Sequence, residues 1–298
     1  MSRRSFVKLL ASRRRACLTS LCGCDGRSGF VAIRAVATTL PLAVMNLKAG
    51  AHDASLAGSD EPLVVLSPHL DDAVFSCGDL LRAHPGSTVV TLLAGTPPDY
   101  EILTDWDRAA GFSRRDDVVA ERRREDAEAL RILGASPHWL PCLDGQYAAG
   151  SDLAELTGAL EAALDALDSR IVLAPLGLFH SDHILVHAAA MQIFECDTSR
   201  TWYAYEDAIY RALPGVRAAR LRNLRERLVV THCASPPHEA SPVKRRAIHS
   251  YRSQLAALAL AEDLDYRDIF EPERCWRLAR PDGSRKFSTI PRAREVTA

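Results

Sequence analysis

The chain has 298 residues, 47% of them hydrophobic, and a formal net charge of −1. That length and apolar content can bury a substantial core and fit one domain with an extension better than two full domains. The near-zero charge argues against the basic footprint of a nucleic-acid-binding protein.

The first sixty residues differ from the rest. Ser2-Arg3-Arg4-Ser5-Phe6-Val7-Lys8 has the look of a twin-arginine export signal, yet Arg13-Arg14-Arg15 interrupts the apolar stretch that should follow it. The later stretch from Phe30 to Leu47 contains Arg34 and Pro41, a poor composition for a membrane span. An unusual export signal, a disordered basic leader and an upstream start that is not the natural one all fit. The reading adopted is a poorly ordered extension over 1–60 on a cytoplasmic protein without a membrane span. Cysteines at positions 17, 22, 24, 77, 142, 196, 233 and 275 lack zinc-knuckle pairing and read as buried thiols of a reducing compartment, although their even number leaves disulfides open.

From Glu61 onward strand-like and helix-like runs alternate. Strands are expected at Leu63–Leu66, Thr88–Leu93, His138–Pro141, Ile171–Ala174, Thr201–Tyr205 and Leu228–Thr231. Helices are expected at Gly78–His84, Asp116–Leu133, Leu153–Leu167, Ile184–Phe194 and Pro242–Ala261. Such alternation implies βαβ units, hence an α/β fold: a Rossmann-like, mostly parallel sheet sandwiched between helices. No Gly-x-Gly-x-x-Gly follows the first strand, so no dinucleotide cofactor is expected. The stretch from Pro97 to Asp117, with Tyr100, Trp106 and Phe112, is too long for a plain connection and reads as a lid over a pocket.

Two strand ends carry chemistry. The apolar run Pro62-Leu63-Val64-Val65-Leu66 ends in Ser67-Pro68-His69-Leu70-Asp71-Asp72, and Ile171-Val172-Leu173-Ala174-Pro175 runs on to His180-Ser181-Asp182-His183. Open α/β sheets bind ligands at the carboxyl ends of their strands. His69, Asp72 and His183 would give the three nitrogen and oxygen ligands that a catalytic zinc site takes while leaving one position for water. Asp71 then remains as a base beside the metal, and His180 as an acid or charge stabiliser whose pKa Asp182 should raise. The plain structural alternative makes Asp72 the N-cap of the following helix. His183 and His187 are spaced as in zincins, but Ile184 stands where that motif needs Glu, so His187 reads as a core or supporting histidine.

These motifs resemble those of the PIG-L, or LmbE-like, family of zinc-dependent N-deacetylases, whose first motif is Pro-His-Pro-Asp-Asp after a strand and whose second is His-x-Asp-His. Pro68-His69-Leu70-Asp71-Asp72 differs by Leu70, and His180-Ser181-Asp182-His183 is intact. Arg122-Arg123-Arg124-Glu125-Asp126, Tyr205-Glu206-Asp207 and Tyr251-Arg252-Ser253-Gln254 resemble further family segments, and the likeness runs from about Glu61 to Arg280. The resemblance implies a deacetylase domain over 61–280 with a tail over 281–298. It implies one Zn2+ on His69, Asp72 and His183, although Fe2+ could take the same ligands. It also implies Asp71 as general base, and His180 held by Asp182 as the group that protonates or stabilises the intermediate. Some members place Tyr two residues before the first His of the second motif, where this chain has Leu178.

Arg122 and Glu125 are expected to support the site or contact substrate, while Arg123 and Arg124 read as a solvated face. Asp144, in Leu143-Asp144-Gly145, reads first as a turn residue and second as a group reaching the cleft. The implied activity is removal of an acetyl or other acyl group from the nitrogen of an N-acetylated sugar or glycoconjugate, a small-molecule partner. An amidase for another small conjugate or secondary metabolite, and a noncatalytic protein that keeps the metal, stay open as alternatives.

Overall fold

The computed structural model describes residues 56, 59–98, 103–147, 152–233, 239–261 and 266–281. The extension expected over 1–60 and the tail over 281–298 lie almost wholly outside these residues, as does Tyr100 of the expected lid.

Among the described residues seven strands form one sheet in the order β3-β2-β1-β4-β5-β7-β6. They are β1 (Leu63–Ser67), β2 (Thr88–Thr91), β3 (Ser136–Trp139), β4 (Ile171–Pro175), β5 (Thr201–Tyr205), β6 (Val229–His232) and β7 (Cys275–Ala279). Strands β1 to β5 pair in parallel, and β7 runs antiparallel between β5 and β6. The α/β class with a mostly parallel sheet is therefore as the alternation implies. Every residue of β1 and β4 is buried, as continuous apolar runs in a doubly covered sheet should be.

Side-chain alternation along β1 divides the core in two. Leu63 and Val65 face one layer, built on α1 (Asp72–Ala83), α3 (Val118–Leu133) and α7 (Pro242–Ile248), where Leu81, Leu130 and Ile248 pack. Val64 and Leu66 face the other, built on α4 (Leu153–Ala166), α5 (Ser181–Cys196) and α6 (Val216–Arg225), where Leu160, Val186 and Leu224 pack. The short helices α2 (Asp105–Ala109) and α8 (Arg252–Leu260) complete the set. No helix of the described residues is long and apolar enough to cross a membrane.

Several boundaries differ from the sequence reading. Helix α1 starts at Asp72 rather than Gly78, and its non-helical Cys77 marks a kink that disguised the first turns. Helix α5 likewise starts at Ser181 rather than Ile184. The single helix expected over Pro242–Ala261 breaks between Ile248 and Arg252. Strand β3 lies at Ser136–Trp139 instead of His138–Pro141, and β7 and α6 were not foreseen. Of the cysteines, Cys77, Cys142, Cys233 and Cys275 are buried and outside any disulfide, whereas Cys196 is exposed.

The order of the strands places the site. The chain leaves β1 toward β2 and β3, then returns to the other side of β1 with β4 and β5. The carboxyl ends of β1 and β4 thus flank the topological switch point, where adjacent loops part and leave a crevice.

Candidate active site

The loop after β1 is fixed by its own serine. Ser67 Oγ donates to the carbonyl of His69 at 2.7 Å and accepts from the amide of Ala73 at 3.0 Å, closing the turn that enters α1. Asp71 occupies the N-cap position without a side-chain capping bond. The Asp72 carboxylate is not a helix cap: its Oδ2 accepts from the His69 amide at 2.8 Å and lies 3.1 Å from His69 Nδ1 and 3.3 Å from His183 Nε2.

The loop after β4 turns through Gly177, at φ 72°, where a Cβ would meet His187 Cβ at 2.6 Å, so only glycine fits. Phe179, at φ 60°, adopts a left-handed conformation uncommon for a residue with a side chain. It delivers His180 to the N-cap of α5, where Nδ1 accepts from the Asp182 amide at 3.2 Å. One helical turn on, His183 Nδ1 lies 2.6 Å from Oδ1 of the buried Asp207, which follows β5. Asp207 thereby holds the hydrogen on Nδ1 and leaves Nε2 as the nitrogen turned toward Asp72 and the crevice. That Nε2 is buried and has no hydrogen-bond partner.

One ligand atom from each of His69, Asp72 and His183 falls within 4.8 Å of the others, and the same holds for His69, His180 and Asp182. The buried, unpartnered Nε2 favours the first set. Two imidazoles and a carboxylate are a donor set suited to zinc, and the carboxylate behind His183 is the usual outer support of such a ligand. His69, Asp72 and His183 could therefore hold a metal ion.

Electrostatics separates like residues. Burial and the adjoining Asp72 carboxylate push Asp71 up to about 8, against a partial pull from Arg122, His69 and His183. Burial acts on Asp72 in the same sense, but His183 and His69 outweigh it and hold that carboxyl well below its usual range. Burial lowers His183 and His69 too, yet Asp72 and Asp207 raise the first to about 9, and Asp144, Asp182 and Asp72 raise the second. His180 goes the other way, to about 4, through burial and the imidazoles of His69 and His183.

This last result corrects the sequence reading of His180. The Asp182 carboxylate does not hold it; Oδ2 lies 3.1 Å from His69 Nε2 and 3.3 Å from the Gly145 amide that donates to it. Its upward pull on His180 is outweighed, so the imidazole is neutral. Because Nδ1 accepts from a backbone amide, the hydrogen sits on Nε2.

The remaining expected residues divide. Asp144 reaches the cleft, with Oδ1 3.9 Å from His69 Nε2 and Oδ2 3.6 Å from the buried Arg122 guanidinium. Glu125 stays outside, its carboxylate accepting from the amide and hydroxyl of Ser253 at 2.9 and 2.5 Å. His187 is a core residue with Nδ1 2.9 Å from the Pro175 carbonyl. In the expected lid, Trp106 is tied to Gln254 and Asp107 to Tyr147.

Sequence reasoning assigned no role to Tyr210. Its ring stands 5.0 Å from that of His183 and 5.9 Å from that of His180. Burial and the carboxylates of Asp72, Asp71, Asp207 and Asp182 push its phenol well up, so it keeps its proton. A tyrosine five residues after a strand, in a segment without periodicity, leaves no signal in one sequence.

Residues 64–194 match the family model described as PIG-L: GlcNAc-PI de-N-acetylase. Among curated protein sequences none matches the chain. A triple mutant of a deacetylase of the teicoplanin biosynthetic pathway is 24% identical, with a TM-score of 0.60 over 75% of this chain and 100% of that one. The deacetylase of the antimicrobial reagent A40926 pseudoaglycone is 24% identical, with a TM-score of 0.58 over 74% and 98%. A zinc-inhibited form of the teicoplanin deacetylase is 22% identical, with a TM-score of 0.60 over 75% and 100%. At these identities the likeness establishes the fold.

Proposed function

Residues 64–194 carry a domain of the PIG-L, LmbE-like family, and on that premise we propose that the protein is a metal-dependent hydrolase that removes an acetyl group from the nitrogen of an N-acetylated sugar or glycoconjugate. The observation that carries the reading is His183 Nε2, buried without a partner and facing Asp72 while Asp207 holds the other ring nitrogen.

His69, Asp72 and His183 are the proposed zinc ligands. Zinc, when bound there, lowers the pKa of a water from ~15.7 to ~7 and polarises the amide carbonyl. Asp71 is the proposed base. It makes no side-chain hydrogen bond among the described residues, so its lone pairs are free to take the proton of the attacking water. The water oxygen bonds to the carbonyl carbon and the carbon–nitrogen bond breaks. Asp71 then returns its proton to the departing nitrogen, giving acetic acid, which ionises to acetate on release, and a free amine. Burial raises the affinity of Asp71 for that proton, while Arg122, His69 and His183, and a zinc ion if bound beside it, favour the carboxylate form that receives it. His180, neutral and bearing its hydrogen on Nε2, donates a hydrogen bond to the developing oxyanion rather than acting as a cationic acid.

Arg122 and Asp144 line the substrate side. The Asp144 carboxylate, anchored by the Gln146 amide at 3.0 Å and its side-chain nitrogen at 2.9 Å, can accept from a sugar hydroxyl. The deciding experiment is an acetate-release screen of the zinc-loaded protein against N-acetylated sugars and their conjugates. Stoichiometric acetate and free amine are expected from at least one of them. Metal-loaded protein that releases acid from none would favour a noncatalytic metal-retaining protein, and turnover confined to other small amides would shift the substrate class.

A further inference from the structure

Tyr210 sits where two unusual backbone conformations meet. Ile209, which precedes it, is β-branched and yet has φ 71°, and Phe179, whose ring lies 5.8 Å from that of Tyr210, has φ 60°. Left-handed conformations in such residues persist only when the surroundings enforce them, and they concentrate at functional sites.

Here the enforcement is visible on both sides of Tyr210. The Ile209 amide donates to Asp268 Oδ2 at 2.7 Å, and Arg211 Nε donates to the same carboxylate at 2.8 and 3.1 Å. Arg211 is further locked by donating to the carbonyls of Pro272 and Asp268 at 3.0 and 2.9 Å. Asp268 therefore grips the residues before and after Tyr210 and fixes the short 3₁₀ turn at Tyr210–Ala212.

The result is an aromatic ring lying edge to face against His183, at 84° between planes, and tilted 33° from His180. Its hydroxyl makes no hydrogen bond with any described residue, and after burial the charges that act on it most are the Asp72 and Asp71 carboxylates of the crevice. A core tyrosine would have found a partner for that hydroxyl. A donor held rigidly beside the reacting groups, with no partner among the described residues, is the arrangement that stabilises a developing charge.

Resting on the hydrolase reading, we propose that Tyr210 is a further catalytic residue whose hydroxyl donates a hydrogen bond to the carbonyl oxygen of the bound amide as that oxygen becomes an oxyanion. The phenol keeps its proton throughout; it stabilises charge and transfers nothing. Asp268 and Arg211 are positioning residues that act through it.

The test compares the zinc-loaded full chain with its Tyr210→Phe variant, which keeps the ring and loses only the hydroxyl. Metal content and thermal stability should not change, KM should move little, and kcat should fall about 10²–10³-fold, the effect of removing one oxyanion donor. Affinity for a tetrahedral methylphosphonamidate analogue of the substrate should weaken by a similar factor. A variant that matches its parent in kcat, while the parent releases acetate, overturns the role of Tyr210 and leaves the hydrolase reading intact. A variant that loses metal or stability shows that the hydroxyl is structural and also overturns the proposal. A parent that binds zinc and releases acid from no acetamide overturns both.

Discussion

The two strand-end loops of the site carry similar residues and sort them in opposite ways. After β1, the adjoining carboxylates Asp71 and Asp72 are pushed apart, the first up and the second down, because only Asp72 is in direct contact with the imidazoles of His69 and His183. After β4, His180 and His183 are pushed apart as well, the first down and the second up, because only His183 has carboxylates on both ring nitrogens. The sorting repeats along α5, where His183 goes to about 9 while His187, one turn further, goes to about 4. Residue type supplies a titratable group, and the partner brought in from a distant segment decides what it does.

The contrast between His183 and His187 can be sharpened by acid. Burial and the neighbouring Arg220 lower His187, so it is neutral in the fold and charges first in the unfolded chain. A depressed folded pKa contributes stability that is present above the unfolded value of about 6.5 and is lost as pH falls toward about 4. The separation corresponds to about 3 kcal/mol. Unfolding free energy should fall across that window, and a His187→Gln variant, less stable at neutral pH, should show a flatter decline. An equally steep decline in the variant would place the acid sensitivity elsewhere.

The same contrast breaks when Asp207 is removed. Asp207→Asn leaves His183 Nδ1 without the carboxylate that holds its hydrogen, and metal affinity should fall about 10–100-fold, the usual effect of losing an outer support. Competition with a chromophoric chelator measures it, and unchanged affinity would show that Asp207 merely packs against His183.

Much of this was legible in one sequence, and the limits have physical causes. Strands β1, β2, β4 and β5 announced themselves as apolar runs because both faces are covered, whereas the half-exposed β3, Ser136–Trp139, was placed two residues too late. Strand β7 gave no such signal, since Cys275-Trp276-Arg277-Leu278-Ala279 alternates too briefly to stand out, and α6 hides its buried Leu221 and Leu224 among arginines. Within the site, His69, Asp71, Asp72, His180, Asp182 and His183 were legible as a set because strand ends converge at a switch point. Their pairing was not. Sequence adjacency joins Asp182 to His180, whereas the fold joins it to His69, 113 residues away. Asp207 could be located only by resemblance, and Tyr210 not at all, because each acts through a contact across the crevice.

The division of labour between the two adjoining carboxylates is the centre of this account, and paired metal analysis and kinetics on Asp71→Asn and Asp72→Asn test it most directly. Asp71→Asn should keep about one equivalent of zinc while kcat falls about 10²–10⁴-fold with little change in KM, whereas Asp72→Asn should lose the metal and with it all turnover. If Asp71→Asn loses zinc while Asp72→Asn keeps it, the two carboxylates have exchanged roles; if Asp71→Asn stays fully active on a substrate that the parent hydrolyses, the mechanism is wrong.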